Sequence, residues 1–257
     1  MAIRVKDLSF GYGEKTILHY LDFHLPSGKF TALLGRNGSG KSTLLRLMAG
    51  FIKPKSGSIE VFGADLSSLS NAERAKRIGF LPQTHYPVFP FTVEEVVLTG
   101  RAAYVFSTPT DKDREKVESA MRRIGIEDLK GRPYTELSGG ERQLVLIARV
   151  LAQEPKVMLL DEPLSSLDLS NQVRILNLLK SLVASGLTVV AVLHDPNVAL
   201  RYGDHFVFLK NGMIKEPKGL DGFHSARMLT DVYGIKIEVI PVREKYLIVP
   251  DLEGIEE

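Results

Sequence analysis

One unbroken segment carries the plainest chemistry in this sequence: Gly35-Arg36-Asn37-Gly38-Ser39-Gly40-Lys41-Ser42-Thr43. It fits the pattern G-x-x-x-x-G-K-[ST], with the apolar run Phe30-Thr31-Ala32-Leu33-Leu34 before it and a helix-like segment, Thr43 to Ala49, behind it. Glycine lets the backbone curl until successive N–H groups face phosphate oxygens, and the following helix adds its positive N-terminal end. In such a cradle Lys41 reaches the β- and γ-phosphates of a nucleotide, and the Ser42 hydroxyl meets Mg²⁺.

Two further runs converge on the same chemistry. Val157-Met158-Leu159-Leu160 is wholly apolar and ends in Asp161-Glu162-Pro163. Ligands of parallel α/β sheets sit beyond the carboxyl ends of the strands, which suits Asp161 to Mg²⁺ and Glu162 to deprotonating an attacking water. A positioned base contributes on the order of 10²–10⁴-fold to the rate. Alone, such a pair would be a solvated strand cap; beside a phosphate loop it becomes a candidate site. The run Leu187 to Leu193 ends in His194-Asp195. None of the histidines at 19, 24, 85, 194, 205 and 224 has metal-ligand spacing such as H-x-x-x-H, but His194 leaves its strand at the same sheet edge. It is the histidine assigned to the γ-phosphate.

A second anion-facing feature is Leu137-Ser138-Gly139-Gly140-Glu141-Arg142-Gln143. Ser138 and Glu141 have capping-box spacing, which predicts a helix start. The two glycines inside the cap leave free N–H groups that an anion can approach closely.

The elements that must hold these residues follow an α/β pattern. Short apolar runs alternate with longer amphipathic ones, as in a mainly parallel sheet. The first third differs: Ala2 to Phe10, Tyr20 to Leu25 and Ser58 to Phe62 alternate polar and apolar residues between turns, which predicts an N-terminal antiparallel β layer. From about Thr84 to Glu154 strand signals give way to helical periodicity over Thr92 to Leu98, Asp111 to Ile124 and Glu141 to Ala152. The expected organisation is a P-loop NTPase core over 1–84 and 155–257, with an inserted helical subdomain over 85–154. After Ile235 the alternation returns and predicts short strands. Of 257 residues 44% are hydrophobic and 25% charged, which excludes a disordered chain. Lys+Arg 33 against Asp+Glu 31 leaves a formal charge of +2, too little for a nucleic-acid binder. There is no cysteine, hence no disulfide and no thiolate chemistry, as suits a reducing cytoplasm. The opening residues lack the apolar core of a signal peptide, and no run approaches the ~20 residues that cross a bilayer. Any membrane role is expected to come through a partner.

Taken in order, the Lys41 loop, Gln83 after a strand, the LSGGE segment, Leu160-Asp161-Glu162-Pro163, Ser166-Leu167-Asp168 and His194 resemble the ATP-binding-cassette ATPases across essentially the whole chain. The resemblance implies a head-to-tail homodimer with each ATP between the Lys41 loop of one subunit and the Ser138 to Glu141 helix of the other. It implies that Gln83 contacts Mg²⁺ and the attacking water, that Asp168 organises the dimer seam, and that Tyr12 stacks on adenine. As an isolated aromatic, Tyr12 also reads as a turn residue. Ser166 stands where Ala is frequent in the family.

Three uses of the ATP compete. A soluble cassette ATPase acting on ribosomes or DNA usually has two cassettes or a coiled-coil insert, and neither is present. A nucleotide-gated module without turnover is disfavoured because every catalytic position is filled. The motor subunit of a membrane transporter remains. A separate cassette chain is common among importers, and the stretch Leu81 to Arg101 and the segment Asp231-Val232-Tyr233-Gly234-Ile235 look like importers of iron chelates (siderophores), haem and vitamin B12. The resemblance implies peripheral attachment to the cytoplasmic face of the membrane and permease subunits docking near Gln83 and the following helices. An extracytoplasmic binding protein would take part indirectly. Val88, Phe89, Phe91 and Val93 either line the permease groove or pack the helical insert. Iron-siderophore import is the expectation, with haem, cobalamin and molybdate or tungstate as alternatives.

Overall fold

In the computed structural model, residues 1–83, 90–105, 107–215, 225–243 and 245–251 are described. Of the expected groove residues, Val88 and Phe89 lie outside them.

A six-stranded sheet forms the centre, ordered β10-β9-β3-β8-β7-β6. Its strands are β3 (Phe30–Leu34), β6 (Ile78–Leu81), β7 (Val157–Leu160), β8 (Thr188–Val192), β9 (His205–Lys210) and β10 (Met213–Lys215). All neighbours pair parallel except β10, which closes the edge antiparallel to β9. β3, β7 and β8 are buried at every position. Their unbroken apolar runs are explained by two cores, one on each face, which take alternate side chains. Met158 and Leu160 enter one core, while Val157 and Leu159 enter the other.

The second core lies under a four-stranded antiparallel sheet of β1 (Ile3–Tyr12), β2 (Lys15–Leu25), β4 (Ser56–Val61) and β5 (Ala64–Asp65). Between the two sheets runs α1 (Lys41–Met48), which buries Leu44, Leu45, Leu47 and Met48 there. The helix starts two residues before the expected Thr43, so that Lys41 and Ser42 sit in its first turn. A short α2 (Asn71–Ala75) precedes β6.

Three helices stand between β6 and β7: α3 (Val93–Leu98), α4 (Asp111–Ile124) and α5 (Gly139–Ala152). Each begins with a complete capping box, from Thr92, Thr110 and Ser138 respectively. Each box satisfies two orphan donors at the helix start. On the same face of the central sheet lies α6 (Leu169–Ala184), capped by Asp168. After β8 come α7 (Pro196–Tyr202), β9, β10, α8 (Ala226–Tyr233) and a hairpin of β11 (Ile237–Val242) with β12 (Lys245–Pro250). The hairpin meets the alternation read after Ile235; β10, α7 and α8 carry too few residues to stand out by pattern, and β9 is bounded by the polar His205 and Lys210. The mixed α/β class is as expected.

Candidate active site

Because β3, β6, β7 and β8 run parallel, their carboxyl ends open on one edge, and each delivers a functional residue there. They bring the Gly35 loop, Gln83, Asp161-Glu162 and His194 around a cleft of about 420 Å³. Asn37, Gly38, Gly40, Lys41, Ser42, Thr43, Gln83, Glu162 and His194 line it.

The loop is built as its glycines suggest. Gly40 has φ +105°, and a Cβ there would sit 2.8 Å from Leu18 Cδ2, so no other residue fits before α1. Lys41 is only 5% exposed, and its Nζ donates to the carbonyls of Gly35 at 2.8 Å and Arg36 at 2.9 Å. Burial lowers the Lys41 pKa, while Glu162 and Asp161 act to raise it. Ser39 is buried, and its Oγ has no hydrogen-bond partner among the described residues. A buried hydroxyl without a partner is costly. In a phosphate loop this one has the chemistry to donate to an anion.

Ser42 Oγ donates to Asp161 Oδ1 at 2.9 Å. Asp161 is 1% exposed, and burial pushes its carboxyl above the usual range, helped by the Glu162 charge and opposed by the Ser42 hydrogen bond. Glu162 is held by three side chains. Its Oε2 accepts from Gln83 Nε2 at 2.7 Å and from Ser165 Oγ at 2.9 Å, and its Oε1 lies 2.8 Å from His194 Nε2. Burial pushes the Glu162 carboxyl up, but the hydrogen bonds of His194 and Ser165 and the charge of Lys41 outweigh it, so the group stays ionised below the ordinary range. Its backbone has φ +53°, a left-handed conformation uncommon for a side chain of this size. Such strain collects where geometry must be exact to function.

Other expected residues stand apart. None of Tyr12, Ser138, Gly139, Gly140, Glu141 or Asp168 is among the described residues lining the cleft. Tyr12 ends β1, is 52% exposed, and sets its ring edge against Phe10 with centroids 5.0 Å apart. Ser138 and Glu141 bind each other in the capping box, and Arg132 lies 3.2 Å from the Glu141 carboxylate. Gly139 has open space at its Cβ position, but a Cβ on Gly140 would come within 2.5 Å of the Asn171 side chain. Close packing against α6 is thus a second reason for glycine at 140, beside the expected ligand access. Asp168 caps α6 through Asn171 N at 2.8 Å and Asn171 Nδ2 at 3.0 Å. Phe91 is 52% exposed, whereas Val93 is completely buried. Val93 thus packs the helical insert and cannot line a groove.

The ABC transporter family model matches residues 18–165, more than half of the chain. The chain belongs to the ABC transporter family. It is the ATP-binding cassette of that family, an enzyme that hydrolyses ATP. It is 39% identical over 253 residues to the ferric enterobactin transport ATP-binding protein of Escherichia coli, covering 96% of this chain and 93% of that one. It is also 39% identical over 238 residues to the hemin import ATP-binding protein of Nocardia farcinica, covering 92% and 83%. Among solved structures, an inward-facing metal-chelate type ABC transporter is 34% identical, with a TM-score of 0.84 and 98% of both chains covered.

Two residues of the cassette's site were not legible in its motifs. Ser165 follows the carboxylate it holds by three positions, a spacing that also reads as an ordinary turn. Gln143 donates from α5 to the carbonyl of Pro163 at 2.8 Å, pinning the loop that follows Glu162. Twenty residues separate the pair in sequence, and no motif links them.

Proposed function

We propose that this cassette powers an importer of ferric chelates, working as a head-to-tail pair on the cytoplasmic side of a membrane permease. The catalytic part rests above all on the seating of Glu162 by Gln83, Ser165 and His194 at the mouth of the Lys41 cleft. There Glu162 takes a proton from the water that attacks the γ-phosphorus, and the bond from that phosphorus to the β-phosphate oxygen breaks. Lys41 neutralises charge on the β- and γ-phosphates, His194 holds the γ-phosphate, and Gln83 orients the water.

Mg²⁺, when bound with the nucleotide, supplies neutralisation of phosphate charge. The residues present fit such an ion: Ser42 Oγ and Asp161 Oδ1 lie together, and Gln83 gives its amide nitrogen to Glu162, which leaves its oxygen as a third hard donor. Arg36, Asn37, Gly38, Ser39, Gly40 and Thr43 complete the phosphate cradle, and Tyr12 offers a face to adenine.

The pairing is supported by what one chain keeps apart. Its Ser138 to Glu141 helix end lies outside its own cleft, so a second copy turned head to tail would complete each site. In this reading 1–84 and 155–257 form the nucleotide-binding core, and 85–154 forms a helical subdomain that faces the partner's nucleotide. No described helix is long and apolar enough to cross a membrane. The membrane is then reached through permease subunits docked near Gln83 and Phe91. The names of the relatives support an iron chelate as the cargo, delivered to the permease by an extracytoplasmic binding protein.

The test is an affinity pull-down of tagged Glu162→Gln protein from mildly solubilised source membranes with MgATP. The expected outcome is a closed pair holding unhydrolysed ATP, with a polytopic membrane protein in stoichiometric amount. Hydrolysis at the parent rate would remove Glu162 as the base, and ribosomal or DNA-repair proteins without a permease would overturn the transport reading.

A further inference from the structure

The last described elements of the chain take no part in the reaction above, yet they reach its machinery. α8 and the β11–β12 hairpin bury Leu229, Val232, Ile237 and Ile248 in the same core as β3 and β8. Tyr233, at the end of α8, buries its hydroxyl with no hydrogen-bond partner among the described residues. Burial and the charge of nearby Asp195 both push that phenol up. Gly234 turns the chain with φ +68°, and a Cβ there would lie 2.9 Å from Arg36 Nη1, so this turn sits against the phosphate loop.

The firmest contact is at Asn197, three residues beyond His194. Asn197 Oδ1 accepts from Ile248 N at 2.7 Å, and Asn197 Nδ2 donates to Ile248 O at 3.0 Å. One side chain thus satisfies both backbone groups on the outer edge of β12, as a neighbouring strand would. At its other end Asn197 is tied to the residue that follows His194: its own N–H donates to Asp195 Oδ1 at 2.7 Å. α7 has only 7 residues, too few to hold itself in place without tertiary contacts. The side chain of His194 is 44% exposed, and among the described residues its one hydrogen-bond or ionic partner is Glu162. Its placement therefore depends on the two elements that flank it, β8 and α7.

We propose that the tail is a strap that fixes His194, with Asn197 as the positioning residue that fastens β12 to the start of α7. The proposal rests on the reading of His194 as the group that meets the γ-phosphate. Without the clamp α7 is free to shift, and the histidine shifts with it. Nucleotide affinity, set by the Lys41 loop, is spared.

Steady-state ATPase of the purified full-length protein tests this. Asn197→Ala should lower kcat about 10-fold or more, as small misplacements of a catalytic group do, with KM for ATP changed less than about two-fold. Ile248→Pro removes the N–H given to Asn197 and should cost more kcat than Ile248→Ala, which truncates the same buried side chain but keeps the N–H; this pair decides if Asn197→Ala does not fold. In a His194→Ala background, Asn197→Ala should cost little more, because the two changes act on one group. Unchanged kcat in folded Asn197→Ala overturns the strap, as do equal losses in Ile248→Pro and Ile248→Ala or an undiminished loss in the His194→Ala background. If His194→Ala itself leaves kcat unchanged, the assigned role of His194 fails and not the strap. The ¹H–¹⁵N ring resonances of His194 then decide: they move in Asn197→Ala and Ile248→Pro if the strap sets the histidine, and stay in place if it does not.

Discussion

Glu162 gathers more side-chain partners than its motif announces. The sequence pairs it with Asp161 and a phosphate loop, and that suffices to nominate it as the base. How it is aimed depends on Ser165, whose hydroxyl shares Oε2 with Gln83. Removing that donor should leave the carboxylate ionised but less well directed. Ser165→Ala is expected to lower kcat by a factor of about 5, the worth of one hydrogen bond near 1 kcal/mol, with little change in ATP affinity. Equal loss in kcat and affinity, measured by ATPase assay and nucleotide titration, would show a fold defect instead. Lys41, Ser42, Asp161 and Glu162 were legible because phosphate and metal chemistry restrict both residue type and spacing. Ser165, Gln143 and Asn197 were not, because a hydroxyl or an amide serves turns, caps and surfaces equally well and only the fold selects its partner.

Among elements, the three helices between β6 and β7 are joined at Arg101. Its Nε donates to Asp113 Oδ1 at 3.0 Å, its Nη1 donates to Ala152 O at 2.8 Å and to Glu154 Oε2 at 3.0 Å, and its guanidinium lies 3.8 Å over the Tyr104 ring. One residue just past α3 therefore holds the start of α4 and the end of α5. It is 3% exposed, so Arg101→Ala should cost roughly 3–5 kcal/mol in urea unfolding, chiefly through the buried carboxylate left behind. The Thr110 hydroxyl and N–H, with Arg101, hold the Asp113 carboxyl down to about 2 from an ordinary 3.8. A depressed carboxyl stabilises fully above its ordinary value and loses that contribution as pH falls through the folded value. The stability gap between the parent and Asp113→Asn should therefore be constant near neutrality and close between about pH 4 and pH 2. A gap that widens on acidification would contradict the pairing. Strands buried on both faces were readable from their apolar runs, as β3, β7 and β8 were. β9 was not: it begins with half-buried His205 and Phe206, ends in half-buried Lys210, and finds its partner β3 about 170 residues back in the chain. Local pattern carries no trace of such a pairing.

At the scale of the whole molecule, the proposed head-to-tail pairing makes the complete site a property of two chains, since the Ser138 helix end does not line the Lys41 cleft of its own chain. Lys41→Ala and Ser138→Arg should each inactivate the protein alone. Mixed in equal amounts and allowed to exchange subunits, half the pairs carry one intact site of two, so activity should return to about a quarter of the parent rate. Recovery of nothing would place both groups in one chain's site.

The alternation of β7 between two cores has a bearing on how such a chain can diverge. One residue gained or lost within Val157–Leu160 would send every side chain beyond it to the opposite face and exchange the directions of Asp161 and Glu162. No single later substitution could restore both the packing and the order of the carboxylates. Length variation among descendants is thereby confined to the connections, and β7 is the ruler against which their alignments can be set.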